Sequence, residues 1–195
     1  MTKTVEFLFD VGSPTAYLAY RRLPAIVARP GASLDYRPVL LGGIFKATGN
    51  APPGVIAARG RWMNIDMARY ATREGITLAM NPDFPINTIT LMRLLTAARG
   101  TADFAPLLET LFAAMWQNPR NLADPAVLAA TLAAAGFDPA LWLARAAEAD
   151  VKAALVAATE DAVARGVFGA PSFFVGDAFF FGQDRLDWVE AALQA

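Results

Sequence analysis

The chain carries its β-forming sequence at its two ends, with a long helix-forming stretch between them, and few folds accept that order. Thr4 to Phe9 (TVEFLF) is rich in β-branched and aromatic residues and reads as a strand. Asp10-Val11-Gly12-Ser13-Pro14 breaks it, and Ser13-Pro14 is a helix start: a hydroxyl at the N-cap, then proline at the first helical position. Tyr17, Leu18, Ile26 and Val27 give that helix its apolar face, and Arg29-Pro30-Gly31 ends it. Ser33 to Leu41 reads as a second strand. This β-α-β opening implies a parallel pair joined by a right-handed crossover. At the other end, Ser172 to Val175 (SFFV) and Ala178 to Phe181 (AFFF) flank Gly176-Asp177, a two-residue hairpin signal. Gly182-Gln183-Asp184-Arg185 then opens a closing helix that carries Leu186, Trp188, Val189 and Leu193.

The middle is rich in Ala, Leu, Met and Arg, punctuated at Pro52-Pro53-Gly54, Asn81-Pro82, Asn118-Pro119 and Asp138-Pro139. Thr88 to Arg99, Phe104 to Gln117, Pro125 to Ala135 and Pro139 to Arg165 read as helices, with Asp124-Pro125 and Asp138-Pro139 as N-cap and N1 pairs. The two ends together make an α/β, thioredoxin-like arrangement (βαβ…ββα), a small mixed sheet with helices on its faces. On this reading residues 1–42 and 166–195 form one discontinuous domain, and residues 43–165 form a large all-helical insertion.

Two absences bound the chemistry. The sequence has no cysteine and no histidine. A disulfide framework, a protein thiolate and a thiolate metal site are excluded. The commonest general base and metal ligand are missing, so a Ser-His-Asp hydrolase is excluded too. No metal is expected. A net charge of -1 gives no electrostatic reason to expect nucleic acid or an anionic membrane surface. No apolar run approaches the ~18 to 20 residues of a membrane span, and Glu6 and Asp10 interrupt the early apolar stretch. The expected compartment is the cytoplasm.

Four sets of residues are candidates for chemistry. Ser13 stands where a helix N-terminus presents unpaired N–H groups and a favourable dipole to an anion. An unassisted serine is a poor nucleophile; its two available roles are plain N-cap and hydrogen-bond donor to an anion brought by a ligand. Pro171, after Gly169-Ala170, opens a strand. By residue type alone it reads as an ordinary trans proline; a cis bond would leave the Ala170 backbone free for an extended peptide. Gly182-Gln183-Asp184-Arg185 offers helix-start amides for a carboxylate and Asp184 for an ammonium, or else simple capping and a solvated ion pair. Lys46, Asn50 and Arg59 fall on or near GGIFKATGNAPPG, read as a shaped loop, where the two cations either hold substrate carboxylates or are merely solvated. Phe45, Trp62, Phe84 and Trp116 either line an apolar pocket or, the safer assumption for each, pack in the core.

Four stretches in order resemble one family. They are FxFDxxSPxxYLA from Phe7 to Ala19, RPVLLGGIFKATGNAPP from Arg37 to Pro53, GVFGAPSFFV from Gly166 to Val175 and FGQDRL from Phe181 to Leu186. They are similar to the 2-hydroxychromene-2-carboxylate isomerases and the kappa-class glutathione transferases. The resemblance implies a thioredoxin-like domain with a helical insertion, a cis Pro171, a homodimer and glutathione as cofactor. It carries the catalytic serine onto Ser13 and the glutathione contacts onto Asn50, Ala170 (through its backbone), Gln183 and Asp184. Arg185 belongs to the same motif. Lys46, with Asn50 and Phe84, falls to a small aromatic carboxylate substrate. Thr15 stands where the family often has an aromatic residue, which bears on the substrate more than the cofactor. The implied reaction is a cis-trans isomerisation: the glutathione thiolate adds to a conjugated carbon, the former double bond rotates, and the thiol leaves. Irreversible conjugation of glutathione to electrophiles is the nearest rival. A non-catalytic thioredoxin-like binding module, with Ser13 a mere cap, is the rival from another class.

Overall fold

A computed structural model describes residues 2–195. Strand β1 (Thr4–Phe9) lies inside a four-stranded sheet of order β2-β1-β3-β4, with β2 (Ser33–Pro38), β3 (Ser172–Val175) and β4 (Ala178–Phe181). β1 and β2 are parallel; β1–β3 and β3–β4 are antiparallel. Strand periodicity sends alternate residues of β1 to opposite faces. Val5, Phe7 and Phe9, with Phe173 and Val175 of β3, enter the main core, which contains residues of α1 (Pro14–Ala28), α4 (Ile89–Ala98), α5 (Phe104–Trp116) and α9 (Leu186–Gln194). Leu8 and Phe174 face the other way, onto Ile44 of α2 (Leu41–Thr48) and Ala162 of α8 (Ala149–Ala164). Phe7 stacks on Phe9 and on Phe173, with ring centroids 5.1 and 5.4 Å apart, so three adjacent strand positions share one aromatic layer. The main core runs on without a break into α6 (Pro125–Ala134) and α7 (Pro139–Ala147). No helix is long and apolar enough, among the described residues, to cross a membrane.

Three elements differ from the sequence expectation. β2 stops at Pro38 rather than Leu41, and GGIFKATG is not a loop: it forms most of α2 and its C-cap. Of the glycines that suggested a loop, Gly43 serves close packing and Gly49 ends the helix in a left-handed cap. A Cβ on Gly43 would lie 3.1 Å from the Thr159 methyl of α8, so glycine there lets the two helices approach. Next, the stretch expected as one helix from Pro139 to Arg165 breaks at Glu148, which is extended (φ -61, ψ 146). The buried stripe shows why. Trp142 and Ala146 are four apart, as are Val151, Leu155 and Thr159, but the step between the two sets is five. One straight helix cannot bury both. Lastly, α3 (Ala57–Glu74) follows a short 3-10 turn at Pro53–Val55 and buries only Met67 and Ala71. Its Trp62 is 58% exposed, against the core position assumed for it.

The capping predictions hold at three sites. Ser13 accepts from the Ala16 amide, Asp124 from Ala126 and Val127, and Asp138 from Ala140 and Leu141, with proline next in each case.

Candidate functional site

The turn from β1 to α1 is held by a buried carboxylate. Asp10 Oδ1 accepts from the Gly12 amide at 2.9 Å, and Oδ2 from the Leu41 amide at 2.9 Å and the Thr88 hydroxyl at 3.1 Å. One side chain thus joins the end of β1, the start of α2 and the start of α4. Burial pushes its carboxyl above the ordinary range, against the opposing pull of these hydrogen bonds. Below the turn, fully buried Trp116 donates from Nε1 to the Val11 carbonyl at 2.7 Å. Asp10 is the aspartate of the FxFDxxSP motif, but nothing in the sequence gave it this role, and nothing marked Thr88.

Ser13 follows this turn and is 4% exposed. Its Oγ accepts from the Ala16 amide at 3.1 Å, donates to the Ala170 carbonyl at 3.0 Å and lies 3.0 Å from the Thr15 hydroxyl. The Thr15 amide, in the first turn of α1, has no partner among the described residues. The Ala170–Pro171 peptide is cis, as the resemblance implied, and so is Phe84–Pro85, which nothing in the sequence flagged.

The loop before β3 is where the separate candidates meet. Ala170 receives Ser13. Asn50 Nδ2 donates to the Phe168 carbonyl at 2.8 Å. The Gly182 amide donates to the Pro171 carbonyl at 3.0 Å, which brings the FGQDRL turn to the same place. That turn is a 3-10 turn over Gln183–Arg185 rather than the first turn of a continuous helix. Gly182 sits at φ 99, a conformation that side chains rarely adopt, with the Asp184 carboxylate folded over it. Asp184 pairs with Arg185, and both are exposed. Gln183 is buried: Arg22 Nη1 reaches from α1 to its backbone carbonyl at 2.8 Å and its Oε1 at 2.9 Å, which orients the side-chain amide. Sequence reading missed Arg22, since nothing in an arginine on a helix signals its partner.

Two other candidates lie apart from this cluster. Lys46 lines a groove of about 550 Å³ between α2, α4 and α8, with Arg93 and Lys152; none of Ser13, Asn50, Ala170, Gln183 or Asp184 lines it. Arg59 is exposed in the first turn of α3. Phe84 is partly exposed and packs on Trp116, with ring centroids 5.7 Å apart, one residue removed from the turn that presents Ser13. Phe45 is half-buried.

The sheet order and this corner define a thioredoxin-like protein with a buried serine at the start of its first helix. A family model described as "DSBA-like thioredoxin domain" matches residues 4–194, and the chain belongs to that family. It is 30% identical over 195 residues, 99% of each chain, to a 2-hydroxychromene-2-carboxylate isomerase of Sphingobium xenophagum. It is 28% identical to Glutathione S-transferase kappa 1 of Homo sapiens, across 96% of this chain and 89% of that one. A solved structure of 2-hydroxychromene-2-carboxylate isomerase superposes with a TM-score of 0.87 at 24% identity, covering 98% of this chain and 94% of the other. These relatives are enzymes, and they bear out the resemblance carried by the four motifs.

Proposed function

We propose that the chain is a glutathione-dependent isomerase that interconverts 2-hydroxychromene-2-carboxylate and trans-o-hydroxybenzylidenepyruvate. The observation that carries this reading is the Ser13–Ala170 contact at the N-terminus of α1 in a chain without cysteine. The corner has the form of a thiolate site, and the sulfur must come from outside.

The donor set fits a thiol tripeptide. Ser13 Oγ and the Thr15 amide suit a sulfur anion, the Ala170 backbone an extended peptide, and the Gln183 amide with the Asp184 carboxylate an amino-acid end. When bound, glutathione supplies a nucleophilic sulfur able to add reversibly to a conjugated carbon. The chain's own tasks are three. Ser13 and the α1 amides favour the ionised sulfur. Phe84, with Asn50, sets an aromatic carboxylate near the corner. Lys46 belongs to the substrate side only if the substrate reaches the α2 groove. The same reading makes the protein a cytoplasmic homodimer serving aromatic catabolism; the exposed Trp62 and Ile65, three residues apart on α3, give such a dimer an apolar contact.

Incubation with a hydroxychromene carboxylate tests the reading directly. Spectral conversion is expected only with glutathione, and glutathione is recovered unchanged. A stable thioether product instead makes the protein a kappa-class transferase, and no response to glutathione removes both readings. Asp184→Ala is expected to weaken glutathione binding about three- to tenfold, the worth of one charged, solvent-exposed hydrogen bond. Equal calorimetric affinity removes Asp184 from the contact set.

A further inference from the structure

We infer that Thr15 is a positioning residue that polarises the Ser13 hydroxyl toward a bound sulfur anion; this deepens, and rests on, the glutathione reading above. A serine hydroxyl has one hydrogen to give and two lone pairs to fill. Ser13 Oγ has three partners: the Ala16 amide at 3.1 Å, the Ala170 carbonyl at 3.0 Å and the Thr15 hydroxyl at 3.0 Å. The amide only donates and the carbonyl only accepts. Ser13 therefore gives its single hydrogen to Ala170, and Thr15 must be the donor in the Ser13–Thr15 pair.

In this arrangement Ser13 has no hydrogen left for a ligand. Rotation of its O–H from the Ala170 carbonyl toward an anion makes that hydrogen available, and the Thr15 hydroxyl, itself a free rotor, follows the turned lone pairs. The freed carbonyl then accepts from the ligand's own N–H. Throughout, Ser13 receives two hydrogen bonds, from Ala16 and from Thr15. Each draws electron density from its oxygen and strengthens the outgoing O–H as a donor. Thr15 suits this task by position: it lies in the first turn of α1, is half-buried, and its β-branched side chain has few helical rotamers.

The test titrates the ultraviolet thiolate absorbance of glutathione bound to the wild-type chain, to Thr15→Val and to Thr15→Ser. Valine keeps the shape and removes the hydroxyl; serine keeps the hydroxyl. The sulfur midpoint is expected to rise by roughly half to one pH unit in Thr15→Val and to match wild type in Thr15→Ser. Affinity for S-methylglutathione, which has no ionisable sulfur, is expected to be equal in all three. One midpoint shared by all three proteins overturns the inference, as does a Thr15→Val variant that loses S-methylglutathione to the same degree. If the wild type shows neither a lowered sulfur midpoint nor S-methylglutathione binding, the glutathione reading falls first and Thr15's role with it.

Discussion

Ser13→Ala is expected to lower turnover at least about tenfold, because on the proposed reading it removes the donor that turns from the Ala170 carbonyl to charge on the reacting sulfur; single donors of this kind are worth roughly 10²–10³ in rate elsewhere. Ser13 is also the N-cap of α1, so alanine costs about 1 kcal/mol of stability as well. Ser13→Gly separates the two effects. Glycine caps nearly as well as serine, at a cost of only a few tenths of a kcal/mol, yet carries no hydroxyl. Both variants are expected to lose turnover, with Ser13→Gly melting close to wild type. Unimpaired turnover in a folded Ser13→Gly protein leaves Ser13 a cap and nothing more.

The second large effect is on stability. Asp10→Ala strands the Gly12 and Leu41 amides and the Thr88 hydroxyl in one move. A buried donor without a partner costs about 1–3 kcal/mol, and relief from burying the carboxyl offsets part of the sum. A net loss of roughly 2–4 kcal/mol follows, or a melting point lower by ~5–15 °C in a chain of this size. A drop too small to measure means that the three donors find other partners. The pH dependence has a definite sign. Burial raises the Asp10 carboxyl above its ordinary value, so the native chain holds this proton more tightly than the unfolded chain does. The resulting stability is fully present below the ordinary carboxylate range and is lost as pH rises through the raised native value. Asp10→Asn cannot ionise and is expected to lack that slope, which denaturant unfolding across the acid range measures.

The sheet was legible because its signals are local. TVEFLF and SFFV-GD-AFFF declare strands by composition and turn chemistry, and three Ser-Pro or Asp-Pro pairs declare helix starts. What escaped was set by tertiary contact. Gly43 looks like a loop residue until α8 is seen against it. The break at Glu148 shows only as a slip of one residue in the buried stripe, with no glycine or proline to mark it. In the site, Ser13, Asn50, Ala170 and the Gly182 turn were found through their motifs, and the structure gathers them at one loop. The residues that hold this corner in shape kept their roles hidden, even Asp10 inside its motif, because the Leu41, Thr88 and Gln183 partners lie far away in sequence.

The reach of Arg22 to Gln183 gives α1 a second use. Ser13 caps the start of the helix and Arg22 leaves it nine residues later, an interval of roughly 13 Å along the axis. The two ends of the corner, the Ala170 loop and the Gln183 turn, are therefore each tied to the same helix rather than to loops that adjust independently. A guest gripped at both ends meets them in one fixed relation, and its shape is judged as strictly as its chemistry.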